Sequence, residues 1–214
     1  MHHVAAGQSM NNVTTHIVDD DPAVRDALQW LLKSRGVTSQ AWDSAPVFLA
    51  AARPDFCGCL LLDVRMPGMS GIELFDRLRV AGCGLPVIFL TGHGDVPMAV
   101  QALKDGAFDF IEKPYDDNAL VDKVLAAIGH DVKRCAHANS VRLLRDKLDQ
   151  LTQREHEVMQ MILAGKLNKV IADELGIAMR TVEVHRSHIF EKMQVRSAVE
   201  LSQLLSALSW PSSA

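Results

Sequence analysis

The sequence predicts a doubly wound α/β domain with a parallel sheet, followed by an all-α domain. Three observations predict it. Short β-rich runs alternate with amphipathic helical patterns as far as Ile128. Two of those runs, at 59–62 and 87–90, are apolar throughout, as strands buried on both faces should be. From Thr152 onward the β-rich runs cease and four helical patterns follow.

In chain order, the strands are expected at 16–18, weakly at 37–42, then at 59–62, 87–90 and 108–111. Asp21 is placed to cap a first helix, with Pro22 at its first position and Val24, Leu28, Leu31 and Leu32 on one face. Ser44 caps the second, which carries Val47, Phe48 and Ala51, and Ser70 caps the third, with Ile72, Leu74, Phe75 and Leu78. Pro97 begins the fourth, which Gly106 ends, and Asp116 or Asp117 opens the fifth, with Leu120, Val124 and Ile128. A boundary is expected within 129–139, where no apolar period is sustained. Val141, Leu144, Leu148 and Leu151 then space a short apolar seam at 3, 4 and 3. It fits either one helix packed on its own domain or a helix that pairs in a dimer.

Composition narrows the function classes. The chain has 214 residues, 48% hydrophobic and 22% charged, which excludes a fibrous or largely disordered protein. No apolar run is long enough for a membrane helix, and the first residues lack the basic flank and apolar stretch of a secretory signal. Residues 1–14 read as a disordered leader and 209–214 as a tail, and a cytoplasmic protein without a membrane partner is expected. Cys57, Cys59, Cys83 and Cys135 lack zinc-ligand spacing along the chain and read as inert reduced thiols. Net charge is −6 over 1–129, +2 over 130–150 and 0 over 151–214, so bulk charge does not announce a nucleic-acid partner.

In an open α/β sheet the ligand site lies beyond the carboxyl ends of the strands. That rule selects Asp19, Asp20, Asp63, Thr91 and Lys113. Three neighbouring carboxylates repel unless a cation joins them, and a hard oxygen-seeking ion such as Mg2+ suits them. One carboxylate could then attack a phosphoryl group, with a Lys and a hydroxyl spreading the charge.

HIVDDDPAVR, LLLDVRMPGMSGIEL, PVIFLTGHGDVPMAV and GAFDFIEKPY, in this order and spacing, resemble the receiver domain of two-component response regulators over residues 15–128. The resemblance implies that Asp63 is the phosphoacceptor. It makes Asp19 and Asp20 the acidic pair, with Asp20 the more direct Mg2+ ligand, and the Arg65 backbone carbonyl a further ligand. Lys113 would pair with phosphoryl oxygens, Thr91 and Phe110 would be the switch hydroxyl and aromatic, and Pro114 would follow a cis peptide. An aspartate-based phosphatase is the neighbouring enzyme class. It places a general acid two residues after the nucleophile, where this chain has Arg65. A protein with at most slow self-dephosphorylation is therefore expected, not a turnover enzyme.

In the last segment, Thr152 and Glu155 form a capping box, with Val158, Met161 and Ile162 behind it and Gly165 at the end. Asn168 opens a second helix that stops at Gly176, a third spans about 180–193 and a fourth about 197–208. Two short helices joined by Gly-Ile-Ala-Met have helix-turn-helix spacing, although a plain four-helix packing module would look similar. LTQREHEVMQMILAGKLNKVIADELGIAMRTVEVHRSHIFEKMQV is similar to the LuxR-type DNA-binding domain. That resemblance turns Glu183, Val184 and Ser187 toward base edges, and Lys169, Thr181, Arg186 and Lys192 mainly toward phosphates; Arg180 also lies on the outward face. Ala178-Met179 stands where members often carry a capping pair, and Glu183 where many carry Lys.

Together the two halves resemble the FixJ-like branch of response regulators. The expected layout is a receiver at 15–129, a helical linker at 130–150 and the DNA-binding domain at 151–208. The resemblance implies a sensor histidine kinase, double-stranded promoter DNA and RNA polymerase as partners, and a homodimer on phosphorylation. The output is a transcription factor, more often an activator. An aspartyl-phosphate-forming phosphatase and a phosphorylation-controlled protein-interaction adaptor without DNA binding are the two alternatives.

Overall fold

The computed structural model describes residues 13–92 and 96–207, and the chain divides into two compact units, Met1–Ala136 and His137–Ala214. Strands and helices alternate first: β1 Val13–Val18, α1 Pro22–Ser34, β2 Ser39–Trp42, α2 Ala45–Ala51, β3 Cys57–Asp63, α3 Gly71–Val80, β4 Val87–Thr91, α4 Val96–Lys104, β5 Asp109–Glu112 and α5 Asp117–Leu148, of which the residues up to Ala136 belong to the first unit. The sheet is parallel, in the order β2-β1-β3-β4-β5.

Strand alternation divides the core between the two faces of this sheet. Leu60, Leu62, Val87 and Phe89 pack on one side with Phe48, Leu74 and Leu78. Cys59, Leu61, Ile88 and Leu90 pack on the other with Leu28, Leu32, Leu120 and Val124. Both faces of β3 and β4 are covered, which explains their uninterrupted apolar runs. β2 is an edge strand with no buried residue and reads weakly for that reason.

Local signals set the helix starts. Asp21 accepts from the Ala23 amide with Pro22 in the first turn, and Ser70 accepts from the Glu73 amide. Ser44 starts α2 without a side-chain cap bond; its hydroxyl donates to Asp43 instead. Asp116 accepts from the Ala119 amide at the head of α5.

The structure corrects several boundaries. Val13 and Thr14, assigned to the leader, are strand residues paired with Cys57 and Gly58. The rest of that leader and the 209–214 tail lie outside the described residues, as do positions 93–95 of the GHGDVPMAV stretch. Residues 129–139 are helical throughout, because α5 continues to Leu148. No apolar period marks this stretch because polar groups hold it down. Asp131, fully buried, accepts from the Gly58 amide at 2.8 Å, and Arg134 bonds both Asp131 and the Phe56 carbonyl.

In the second unit α6 Gln153–Leu163, α7 Asn168–Leu175, α8 Met179–Met193 and α9 Ala198–Ala207 follow. The capping box of Thr152 and Glu155 is formed, and Gly176 ends α7 in the left-handed conformation. Leu144, Leu148 and Leu151 are buried in one core with Val158, Ile171, Val182, Ile189 and Leu201. The seam thus packs within its own unit, and that unit's core begins before residue 151.

Candidate functional site

Two loci gather the residues the sequence selects. The first lies where β1, β3 and β5 end. Strand order reverses beside β1, so the crossovers on either side of β1 and β3 diverge and leave a crevice at their carboxyl ends. Asp19 follows β1, Asp63 ends β3, and both are buried. Lys113, just after β5, reaches both: its Nζ is 2.6 Å from Asp63 Oδ1 and 3.0 Å from Asp19 Oδ2. The remaining oxygens accept backbone amides, Asp19 Oδ1 from Asp21 at 2.9 Å and Asp63 Oδ2 from Arg65 at 2.8 Å. The peptide between Lys113 and Pro114 is cis.

These charges are interdependent. Burial pushes the Asp63 carboxyl up, Asp19 adds to the rise, and Lys113 and the Arg65 amide oppose it. Burial works against the Lys113 ammonium, yet the hydrogen bonds it donates to Asp63 and Asp19 raise its pKa overall. The ammonium therefore stays charged and is the local counter-ion of both carboxylates.

Asp20 stands exposed at the rim next to Asp19, and Arg65 is exposed two residues beyond Asp63. The three carboxylates and the Arg65 carbonyl form an oxygen-only donor set, which suits a hard divalent cation such as Mg2+. Thr91 is fully buried at the end of β4, one residue past Leu90, the register partner of Asp63. Its hydroxyl donates to the Gly92 carbonyl at 2.8 Å, and its own carbonyl accepts from the Lys113 amide. Phe110 is half-buried against the cluster that contains Phe89.

Sequence reasoning missed two supports. Arg25 donates to the Asp19 carbonyl at 2.7 Å, and Lys123 of α5 binds Asp109 at 2.6 Å and the Phe110 carbonyl at 3.1 Å. Nothing in the local pattern marks either, since each joins groups that only the fold brings together. A concavity of about 570 Å3 lies at the opposite end of the sheet near Pro86, Phe108 and His130, away from these carboxylates.

The second locus is α7 and α8. Ile171 and Ala172 of α7 and Val182, Ile189 and Met193 of α8 face the core. Lys169, Arg180, Thr181, Glu183, Val184 and Ser187 are exposed. Arg180 approaches Glu183 at 3.5 Å, one turn on, and the Arg186 guanidinium lies over the Phe190 ring, 5.4 Å from its centre. α8 starts at Met179 with no side-chain cap, and its first turn is closed by the Ala178 carbonyl.

Lys192 departs from expectation. Its ammonium does not face outward toward phosphate; it binds Glu155 at 2.7 Å and the Gln150 carbonyl at 3.1 Å. Glu155 is buried and would otherwise hold an unmatched charge, so the lysine is drawn inward. Burial works against the Glu155 carboxylate, but Lys192 and Thr152 hold its pKa down at about 2.

The response regulator receiver domain family matches residues 15–125, and the luxR family of bacterial regulatory proteins matches residues 149–205. The chain is 50% identical to the C4-dicarboxylate transport transcriptional regulatory protein DctR of Rhodobacter capsulatus, over 89% of this chain and 98% of that one. It is 42% identical to the transcriptional regulatory protein FixJ of Rhizobium meliloti (strain 1021), over 91% of this chain and 96% of that one. Its structure is similar to that of the response regulator StyR, with a TM-score of 0.85, 43% identity, and coverage of 92% of this chain and 99% of that one.

Proposed function

The chain belongs to the two-component response regulators that join a receiver domain to a LuxR-type DNA-binding domain, and on that premise we propose that a sensor histidine kinase phosphorylates Asp63 and that the phosphorylated protein binds promoter DNA through α8. The observation that carries this reading is the Lys113 ammonium bonded to both Asp63 and Asp19. It holds the Asp63 carboxylate in place, and it lies where the oxygens of an added phosphoryl group would develop charge. An Asp63 oxygen attacks phosphorus, and the phosphorus–nitrogen bond to the kinase histidine breaks. Asp19, Asp20, Asp63 and the Arg65 carbonyl are the residues that would hold Mg2+, which would neutralise charge on the transferred group.

After transfer, Thr91 moves its hydroxyl from the Gly92 carbonyl toward the phosphoryl group, and Phe110 turns into the space it leaves. This is a population shift biased by a local charge. The receiver then pairs with that of a second copy, and α5, which runs on without a break to Leu148, carries the DNA-binding unit that begins at His137. A dimer binds two half-sites more tightly than one domain binds one, by effective concentration. Val184, Glu183 and Ser187 face base edges; Lys169, Arg180, Thr181 and Arg186 face phosphates and edges. RNA polymerase recruitment, and hence activation, is the output. Arg65 offers no general acid beside Asp63, so at most slow self-dephosphorylation is expected. No described helix is long and apolar enough to cross a membrane, and the kinase and promoter DNA would be met in the cytoplasm.

The test is phosphorylation by a small phosphodonor with Mg2+, read as added mass and as promoter-fragment retention. Wild type should gain one phosphoryl group and bind tighter; Asp63→Asn should do neither. Normal activation of Asp63→Asn would overturn the assignment.

A further inference from the structure

At the opposite end of the sheet from Asp63, the fold brings together residues that lie far apart along the chain. Cys57 starts β3, and Asp131 and Cys135 sit one turn apart on α5. One ligating atom from each lies within 4.8 Å of the other two. The Cys135 sulfur is 3.5 Å from Asp131 Oδ2. Bond lengths of a tetrahedral zinc-type ion to sulfur and carboxylate oxygen imply ligand–ligand edges of roughly 3.5–3.8 Å, so small side-chain shifts suffice.

The surroundings are built as well. Asp131 is fully buried and oriented by two donors, the Gly58 amide at 2.8 Å and the Arg134 guanidinium. The same guanidinium donates to the Cys135 sulfur at 3.4 Å and to the Phe56 carbonyl at 2.9 Å. Metal ligands are commonly fixed by such outer partners. Both sulfurs are half-buried, which leaves one side open for a water as fourth ligand.

We propose that Cys57, Asp131 and Cys135 form a binding site for one thiophilic divalent cation of the Zn2+ type. Two thiolates and a carboxylate are offset to zero by the Arg134 guanidinium and a divalent ion. Binding displaces the two thiol protons to solvent and changes no oxidation state. Without the cation the thiols stay protonated: burial, Cys135 and Asp131 push Cys57 up to about 12, and burial raises Cys135. An occupied site would clamp the start of β3 to α5.

The test uses the full chain under a phosphine reductant, with Co2+ as the spectroscopic probe and Zn2+ as competitor. Wild type should show a sulfur-to-cobalt charge-transfer band at one equivalent, bleached by Zn2+. Cys57→Ser and Cys135→Ser should each lose it while circular dichroism shows them folded; Cys83→Ser should keep it. Histidines elsewhere bind cobalt through nitrogen and give no such band. In wild type alone, Zn2+ should also shield Cys57 and Cys135 from alkylation and leave Cys83 reactive. Absence of the band in wild type, its survival in either serine variant, or equal alkylation of all three thiols with Zn2+ would overturn the site.

Discussion

The Lys113 ammonium lies 2.6 Å from Asp63 Oδ1, and Asp63 has no nearer described cation among the salt bridges. A neutral residue at 113 leaves two buried carboxylates, Asp19 and Asp63, facing each other unscreened. Lys113→Met is therefore expected to slow phosphorylation of Asp63 by about 10²–10³-fold, the usual cost of one charge-stabilising donor. Initial rates with a small phosphodonor check this; a rate within threefold of wild type would show that the ammonium does not serve the transfer.

The indole N–H of Trp42 donates to His16 Nδ1 at 3.2 Å, and Phe56 stacks on the imidazole at 4.7 Å. Burial lowers the His16 pKa from 6.5 to about 4. A depressed histidine pKa means that the unfolded chain takes up the proton first. The stability from a neutral His16 is complete above pH 6.5 and is lost as pH falls from 6.5 toward 4, by up to about 3 kcal/mol. Urea titrations at pH 7 and pH 5 should show a smaller loss in His16→Leu than in wild type. Equal losses would remove His16 as the cause.

Lys192 and Arg180 should separate folding from DNA contact. Lys192→Met strips the partner from buried Glu155 and is expected to destabilise the second unit by about 1–3 kcal/mol, less than for a fully enclosed pair because the lysine is partly exposed. Its salt slope for DNA binding should stay unchanged. Arg180→Ala and Lys169→Ala should instead leave stability intact and flatten that slope by about 1 each. A flattened slope in Lys192→Met would put its charge on the DNA.

Gly58 has a φ of +138°, and a Cβ there would lie 2.0 Å from the Thr14 carbonyl oxygen. The strands β1 and β3 cannot separate to admit it without breaking their ladder. Gly58→Ala is expected to cost at least about 3 kcal/mol and leave the receiver largely unfolded, readable by thermal melting. A melting temperature within a few degrees of wild type would contradict it.

What the residues alone disclose follows the range of the forces involved. β3 and β4 are plain because burial on both faces writes a continuous apolar run, and Asp21, Ser70 and the Thr152–Glu155 box are plain because caps act within three residues. Asp19, Asp63 and Lys113 could be picked out because each ends or follows a strand of one parallel sheet. The continuation of α5 past Gly129 left no trace, since the Asp131 carboxylate, paired with Arg134 on the same helix, is tied to the Gly58 amide of β3 where an apolar stripe would otherwise hold it. The inward turn of Lys192 depends on a glutamate 37 residues earlier, and Cys57 meets Cys135 only because β3 and α5 cross. Spacing along the chain carries none of these pairings.

Leu144, Leu148 and Leu151 belong to the core of the second unit. A fragment cut at residue 151 would expose the apolar floor on which Val158 and Ile189 rest and would tend to stick to itself. Isolated production of the helix-turn-helix should therefore start at about His137, where the unit itself begins. The same three leucines are spent inside one chain, so they are not free to zip two chains together.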